Sequence, residues 1–250
     1  MTTRAWDAET YDRVSDVQVQ WARNVLDRLP LDGDETVLDA GCGSGRVTAL
    51  LVERLPRGRV IGVDSSEDMA EHAREALGDR ARILTADLTE LELDEQVDAV
   101  FSNAVFHWIA DQERLFQRLF AVLNPGGRLV AQCGGEGNLR GFLSLVDEVA
   151  ATDPFASHLK GFTRTWDFPG AKETEVRMRR SGFDPARAWL EPSRVRPEEP
   201  DAFLSTICLG VHLERLPEEL HDPFVSEALA RAGEPLDLDY VRLNLEARRP

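Results

Sequence analysis

One short stretch, residues 36–45 with the sequence TVLDAGCGSG, constrains the fold of this chain more than any other. It opens with β-branched and aliphatic residues, as a buried strand does, and an acid, Asp39, follows them. Three glycines then alternate with other residues, at Gly41, Gly43 and Gly45. Residues 46–55 place apolar side chains four residues apart, which predicts an amphipathic helix. Strand, glycine turn and helix form the ligand-binding corner of a doubly wound α/β sheet, where a ligand can lie against bare backbone.

The spacing of these glycines disfavours an NAD-type site. The dinucleotide fingerprint G-x-G-x-x-G needs a glycine where this chain has Arg46. The pattern of an acid followed by x-G-x-G-x-G resembles the first motif of class I S-adenosylmethionine-dependent methyltransferases. That resemblance implies S-adenosylmethionine as the cofactor. It places the following residues of the turn in the cofactor site: Asp39, Gly41, Cys42, Gly43 and Gly45.

The rest of the chain repeats the alternation of strand and helix. Further buried strands are predicted at residues 59–63, 81–85, 97–102 and 128–133, then at 187–190 and 237–247. Helices are predicted between them, including 201–216 and 217–232. We therefore expect one domain over residues 1–250, with a doubly wound, mostly parallel, seven-stranded Rossmann-like sheet. By the resemblance, the last strand lies antiparallel between strands five and six.

Two more acids follow strand ends. Asp64 comes 19 residues after Gly45, where an acid hydrogen-bonds ribose hydroxyls because a carboxylate accepts from both. Asp87 follows the third strand and is expected at the adenine edge, with a turn-capping role as the alternative. By the resemblance, Met69 contacts adenine, although it is also a plausible core residue. The cofactor site is completed by Ser65, Ala86 and Leu88.

Residues 103–108, NAVFHW, follow the fourth strand. Ligands bind beyond the carboxyl ends of strands in such sheets, so this segment is expected between cofactor and methyl acceptor. Asn103 is assigned to the cofactor. His107 and Trp108 are candidate catalytic residues, with a structural histidine and a core aromatic as the alternatives.

An amphipathic helix is predicted over residues 10–29, within an N-terminal cap of residues 1–30. Many small-molecule methyltransferases carry such a helix, and the resemblance places Tyr11 on the cofactor and Gln18 on the acceptor. Residues 134–182 break the regular pattern and are expected to form a variable substrate lid. The polar face of the N-terminal helix could equally be solvated.

Five motifs occur along the chain in a fixed order. They are W-x₄-Y, D-A-G-C-G-S-G, S-N-A-x-x-x-W and L-N-P-G-G, and then R-L-x-L-x-A-R-R at residues 242–249. Together they resemble the trans-aconitate methyltransferases and related small-molecule carboxyl methyltransferases. The resemblance implies O-methylation of the carboxylate of a small or medium organic acid, held by Gln18, Trp108 and an arginine of the lid. A carboxylate is ionised at pH 7 and needs no base. If the acceptor is a hydroxyl or amine, His107 is the candidate base. The rival class is a non-catalytic nucleotide-binding protein.

Composition limits the partners. The net charge of −16 opposes binding to nucleic acid or an anionic membrane. The three cysteines, Cys42, Cys133 and Cys208, are far apart in the chain. We therefore expect no metal site, and we expect a reducing compartment. The first residues lack an apolar signal-peptide core, which favours the cytoplasm.

Overall fold

The computed structural model describes residues 16–250. The strands are β1 (Thr36–Ala40), β2 (Arg59–Asp64), β3 (Arg82–Thr85), β4 (Val97–Asn103), β5 (Leu123–Gly134), β6 (Ala186–Val195) and β7 (Leu238–Arg248). The helices are α1 (Asp16–Asp27), α2 (Arg46–Arg54), α3 (Glu67–Leu77), α4 (Gln112–Val122), α5 (Arg140–Ala150), α6 (Ala156–Leu159), α7 (Ala171–Arg180), α8 (Pro200–Phe203), α9 (Gly210–Leu213) and α10 (His221–Ala232).

All seven strands join one sheet in the order β3-β2-β1-β4-β5-β7-β6. Strands β1 to β5 pair in parallel, whereas β7 runs antiparallel to both β5 and β6. The predicted fold class and the predicted place of the last strand are therefore confirmed. Every residue of β1 is buried, as expected for the central strand of a parallel sheet covered on both faces.

Successive side chains of a strand point to opposite faces, and each face carries its own apolar core. On one face Val37 and Phe101 pack with α1 and α2, through residues such as Val25 and Leu51. On the other face the core is built by α4 and α7 against the alternate strand residues. A further apolar cluster joins α5, α8 and α10 to the ends of β6 and β7, at the edge where the parallel strands end.

The sequence was a poorer guide to the second half of the chain. Residues 201–216 were expected to form one helix, but that prediction is wrong. A π-helical turn, Leu204–Cys208, separates α8 from α9. Within it the Leu209 N–H donates to the Leu204 carbonyl, 2.8 Å away and five residues earlier. Such wide turns occur often at functional sites. Among residues 16–250, no helix is both long enough and apolar enough to cross a membrane.

Candidate functional site

The three glycines of the turn after β1 differ in how closely other residues surround them. Gly41 has a φ of 89°, and a Cβ there would lie 2.2 Å from a methyl carbon of Val105. Gly45 is similarly enclosed, with Leu77 and Ala73 about 3 Å from a built Cβ. Gly43 has a φ of 54° but no heavy atom within 4 Å of its Cβ position. Gly41 and Gly45 therefore allow close packing, whereas Gly43 leaves the outer side of the turn open.

Asp39 lies beneath this turn and is only 1% exposed. One carboxylate oxygen, Oδ2, accepts from the Thr48 hydroxyl at 2.7 Å. Burial raises the pKa of Asp39 to about 7, and the nearby negative charge of Asp64 adds to the effect. Asp39 thus lies between its neutral and charged forms at physiological pH. A cation beside it would restore the charged form.

A cavity of about 50 Å³ lies against the turn, and Asp39, Gln18 and Asn103 line it. The amide oxygens of Gln18 and Asn103 are buried and have no hydrogen-bond partner. The side-chain nitrogen of Asn103 donates to the backbone carbonyl of Gln18 at 3.0 Å, and this hydrogen bond connects α1 to the end of β4. Three side chains therefore present oxygen acceptors to one small space. This set suits a group with several N–H donors, such as an ammonium.

Asp64 ends β2 on the other side of the turn. Its two oxygens accept from the backbone N–H groups of Gly43 and Ser66, each at 2.9 Å. Burial raises its pKa, and these two hydrogen bonds offset part of that effect. Each carboxylate oxygen can accept a second hydrogen bond, so Asp64 can still hold hydroxyl groups. Asp64 therefore also shapes the turn, which the sequence did not indicate.

The remaining predicted cofactor residues differ in how they are used. Met69 and Leu88 are buried, Ser65 is exposed, and the Ala86 N–H donates to the Asp64 carbonyl at 2.9 Å. Asp87 Oδ1 accepts from both the backbone and the hydroxyl of Thr89, each at 2.8 Å. That is the turn-capping role considered as the alternative.

Cys42 and Tyr11 are the other two residues that the sequence predicts at the cofactor. The Cys42 side chain is buried against α3, where burial raises its pKa, and Cys42 is also one of the residues that line the cavity. Tyr11 lies outside the described residues. Within residues 16–250, no group of three or more histidine, cysteine, aspartate or glutamate residues could hold a metal ion.

His107 lies in a 3₁₀ turn after β4, beside its neighbour Trp108. Its Nδ1 accepts from the Gly134 N–H at 3.3 Å, which assigns the ring proton to Nε2. Burial lowers the pKa of His107 to about 3, and the positive charge of Arg242 contributes. The ring therefore presents a donor, and its only basic nitrogen is already occupied. This geometry disfavours His107 as a general base.

Trp108 lies in the same 3₁₀ turn as His107. Its ring packs edge-on against Trp166, with centroids 5.4 Å apart, and tilts against His107 at 5.1 Å. Gln18 instead lines the cavity at the glycine turn. Gln18 therefore lies at the predicted cofactor corner, and its predicted contact with the acceptor together with Trp108 stays a prediction.

Trp108 belongs to a chain of touching rings that we call the aromatic cluster. Its members are His107, Trp108, Phe162, Trp166, Phe168, His212 and Phe224. The cluster joins the turn after β4 to residues 162–168, to α9 and to α10. Sequence reasoning singled out only its first two members, because the others lie far away along the chain.

Arg242 was also missed as a site residue, although it opens the C-terminal motif. It is 3% exposed, and its guanidinium lies 4.1 Å from the ring centroid of Trp21 in α1. Its Nε donates to the side-chain oxygen of Gln132 at 3.2 Å. This buried cation lies where α1 meets the sheet edge, next to His107. Only the pairing of β5 with β7 reveals that position.

Comparison with known proteins agrees with this geometry. Residues 37–127 match the family model described as "Methyltransferase domain". Trans-aconitate 2-methyltransferase of Azoarcus sp. (strain BH72) is 45% identical over 127 residues, 51% of this chain and 50% of that protein. The Shigella flexneri protein of the same name is 39% identical over the same shares. The chain thus spans about half the length of the curated relatives it matches.

Solved structures match nearly the whole chain. Phosphoethanolamine N-methyltransferase 2 of Haemonchus contortus, solved with phosphomonomethylethanolamine and S-adenosylhomocysteine, superposes with a TM-score of 0.63. The match is 20% identical and covers 97% of this chain and 57% of that one. Mycolic acid cyclopropane synthase gives a TM-score of 0.60 at 16% identity, covering 100% and 90%. The fold is that of the class I methyltransferases. Within it, residues 37–127 are similar to a methyltransferase domain, and 127 residues of the chain are similar to the trans-aconitate 2-methyltransferases.

Proposed function

We propose that the protein is an S-adenosylmethionine-dependent methyltransferase that O-methylates the carboxylate of a small or medium organic acid. The observation that carries the proposal is the set of oxygen acceptors from Asp39, Gln18 and Asn103 beside the open face of Gly43. Two of these oxygens are buried without a partner, and the third belongs to a buried acid with a raised pKa. Burying each of these oxygens destabilises the folded protein unless a ligand donates a hydrogen bond to it.

S-adenosylmethionine fits this set. Its amino-acid end carries an ammonium with three N–H donors, which matches three acceptor oxygens and the charge of Asp39. The open side of Gly43 allows the ligand to approach the backbone. Asp64, already holding the turn through Gly43, keeps acceptor capacity for ribose hydroxyls. When bound, the cofactor supplies an electrophilic methyl group.

The acceptor chemistry follows from what the chain offers near Trp108. A carboxylate is ionised at pH 7 and needs no proton removed. The protein then has to align the two reactants and exclude water, a proximity effect of several kcal/mol. Trp108 and Gln18 supply hydrogen-bond donors of neutral groups, which hold the acceptor oxygen without overstabilising the ground state. The relatives named for trans-aconitate support an organic acid as substrate.

Two alternatives have less support. Methylation of a hydroxyl or amine with His107 as base conflicts with its lowered pKa and with the occupied Nδ1. A purely nucleotide-binding role leaves the aromatic cluster beside the cofactor corner without a purpose.

The decisive experiment has two stages. Calorimetric titration with S-adenosylhomocysteine and with NAD tests the cofactor, and we expect micromolar binding of the first and none of the second. A panel of carboxylic acids, phenols and amines is then incubated with S-adenosylmethionine, and S-adenosylhomocysteine release is measured. Turnover confined to phenols or amines would replace the carboxylate proposal with the base-catalysed one.

A further inference from the structure

The side chain of Val105 lies between the glycine turn and the turn after β4, residues 105–108. A Cβ built on Gly41 would lie 2.2 and 2.7 Å from the two methyl carbons of Val105 and 2.9 Å from its Cβ. Three atoms of one side chain therefore occupy the place where any other residue at position 41 would carry its own. This contact joins the cofactor corner directly to the turn that carries His107 and Trp108.

The contact lies just beyond the point where β1 and β4 stop pairing. Their register ends at Asp39 and Phe101. Ala104 follows with a φ of 63°, a left-handed conformation that residues other than glycine seldom adopt, and the chain bends there. Val105 comes next and packs on Gly41. The side chain therefore continues the contact between the two segments after the strands have separated.

The glycine turn has its own hydrogen bonds, and none of them involves Val105. The N–H groups of Gly41 and Cys42 both donate to the Val63 carbonyl, at 2.8 and 3.0 Å. The Gly45 N–H donates to the Cys42 carbonyl at 3.1 Å. Shortening the side chain of Val105 therefore leaves the hydrogen bonds of the cofactor corner in place.

The turn after β4 is also held by groups other than this side chain. The Trp108 N–H donates to the backbone carbonyl of Val105 at 2.9 Å. The side-chain nitrogen of Gln112 donates to the Phe106 carbonyl, also at 2.9 Å. Both hydrogen bonds survive when Val105 is shortened. The Val105 side chain thus fills the space between two turns that are each held separately.

The proposed reaction is sensitive to the spacing between these turns. The carboxylate oxygen forms a bond to the methyl carbon while the carbon–sulfur bond breaks, and the electron pair of that bond stays on sulfur. The three atoms must therefore lie in line, and a misplacement of about 1 Å can slow such a step about a hundredfold. A β-branched side chain suits a fixed spacing, because its χ1 angle is restricted.

We propose that Val105 is a positioning residue for methyl transfer, whose side chain sets the distance between the cofactor at the glycine turn and the acceptor at Trp108. It acts through Gly41 and Trp108 and touches no reacting atom. This inference rests on the proposed function and adds a residue to it. Its signature is a loss of rate with both ligands still bound.

Val105→Ala tests the spacing with whichever carboxylic acid, phenol or amine of the substrate panel turns over. Single-turnover methyl transfer at saturating ligands should slow about 10- to 100-fold. The KM for the acceptor and the Kd for S-adenosylhomocysteine should each change less than about threefold. Val105→Thr keeps the branched shape at a partly buried position, so its rate should stay within about threefold of wild type.

Val60→Ala is the matched control for this rate. It removes the same two methyl groups from a valine of β2 that is 2% exposed and pairs with Val37. This variant should lower the Tm, because it leaves a cavity in the core, while its single-turnover rate stays within about threefold of wild type.

A second measurement tests the contact itself and needs no acceptor. Gly41→Ala should lower the Tm of the wild-type chain, because its new Cβ collides with Val105. In the Val105→Ala background two of the three colliding atoms are gone, so the loss should be at least about one third smaller. Gly45→Ala is the matched control, since its Cβ meets Leu77 and Ala73 instead, and it should lower the Tm equally in both backgrounds.

A wild-type rate in Val105→Ala overturns the inference, as does a loss of ligand affinity in that variant as large as its loss of rate. An equal loss of Tm from Gly41→Ala in both backgrounds contradicts the contact on which it rests. Failure of the wild-type chain to bind S-adenosylhomocysteine, or to turn over any member of the panel, would instead overturn the proposed function. The two failures are therefore read from different proteins.

Discussion

The glycine turn and the aromatic cluster are two regions that are built differently. At the glycine turn, hydrogen bonds hold two carboxylates in place, since the Gly43 N–H donates to Asp64 and the Thr48 hydroxyl donates to Asp39. The amide oxygens of Gln18 and Asn103 beside the turn have no hydrogen-bond partner. In the aromatic cluster the rings pack on one another, and neither nitrogen of His212 has a hydrogen-bond partner. The turn therefore leaves oxygen acceptors open to a ligand, whereas the cluster is closely packed and mostly apolar.

The largest expected effect is on the open face of the turn. Gly43→Val should weaken S-adenosylhomocysteine binding by at least a hundredfold, because the branched side chain occupies ligand space. Calorimetry measures the loss. Gly78→Val is the matched control, with a φ of 53° and a similarly empty Cβ position. Equal loss of affinity in both variants would mean that backbone strain, and not the ligand, explains the result.

Gly41 provides the contrast within the same turn. Gly41→Ala should lower the free energy of unfolding by about 2–4 kcal/mol, because the new Cβ collides with Val105 and the residue keeps a positive φ. Urea denaturation measures the change. Gly43→Ala should cost only about 1 kcal/mol from strain. If the two alanine variants were equally stable, the distinction between an enclosed Gly41 and an open Gly43 would be wrong.

Asp39 should make cofactor binding depend on pH. Its pKa of about 7 means that the free protein holds a proton on Asp39 at lower pH, whereas an ammonium ligand needs the ionised form. The Kd for S-adenosylhomocysteine should therefore rise as pH falls below 7, by up to tenfold per unit.

Calorimetry from pH 5.5 to 8 follows this trend, with Asp39→Asn as its control. That variant should bind about 10- to 100-fold more weakly at pH 8 and lose most of the slope. Asp64 also has a raised pKa, so the difference between the two proteins is the informative quantity. A slope that persists undiminished in Asp39→Asn would remove Asp39 from the ammonium site.

The smallest expected effect is at the junction of these two regions. His107→Ala should change kcat less than about threefold with a carboxylate acceptor, because no proton is removed and Nδ1 is occupied. The pH profile of kcat should likewise keep the same shape in the wild-type protein and in His107→Ala. A loss of 10²- to 10⁴-fold, with cofactor affinity intact, would establish His107 as a general base.

The residues that the sequence predicts for the cofactor lie together in the structure because most of that information is local. The residues 36–45 lie in one continuous turn, and Asp64 follows the neighbouring strand, so spacing along the chain predicts proximity in space. Gln18, which the sequence predicts at the acceptor, also lines the cavity at the turn. Its place depends on how α1 packs across the sheet edge, which helical periodicity does not specify.

The aromatic cluster was decided by tertiary structure alone. His212 follows a π-helical turn that no periodicity in residues 201–216 predicts, and it contacts Phe162 and Phe224 from distant segments. Arg242 reaches His107 only because β7 inserts antiparallel beside β5, bringing together residues more than a hundred positions apart. Alternating strand and helix patterns determined the sheet, and the glycine spacing determined the cofactor corner. Side-chain packing between distant segments determined what the remaining pocket can bind, because burial and unpaired donors are properties of contacts and not of composition.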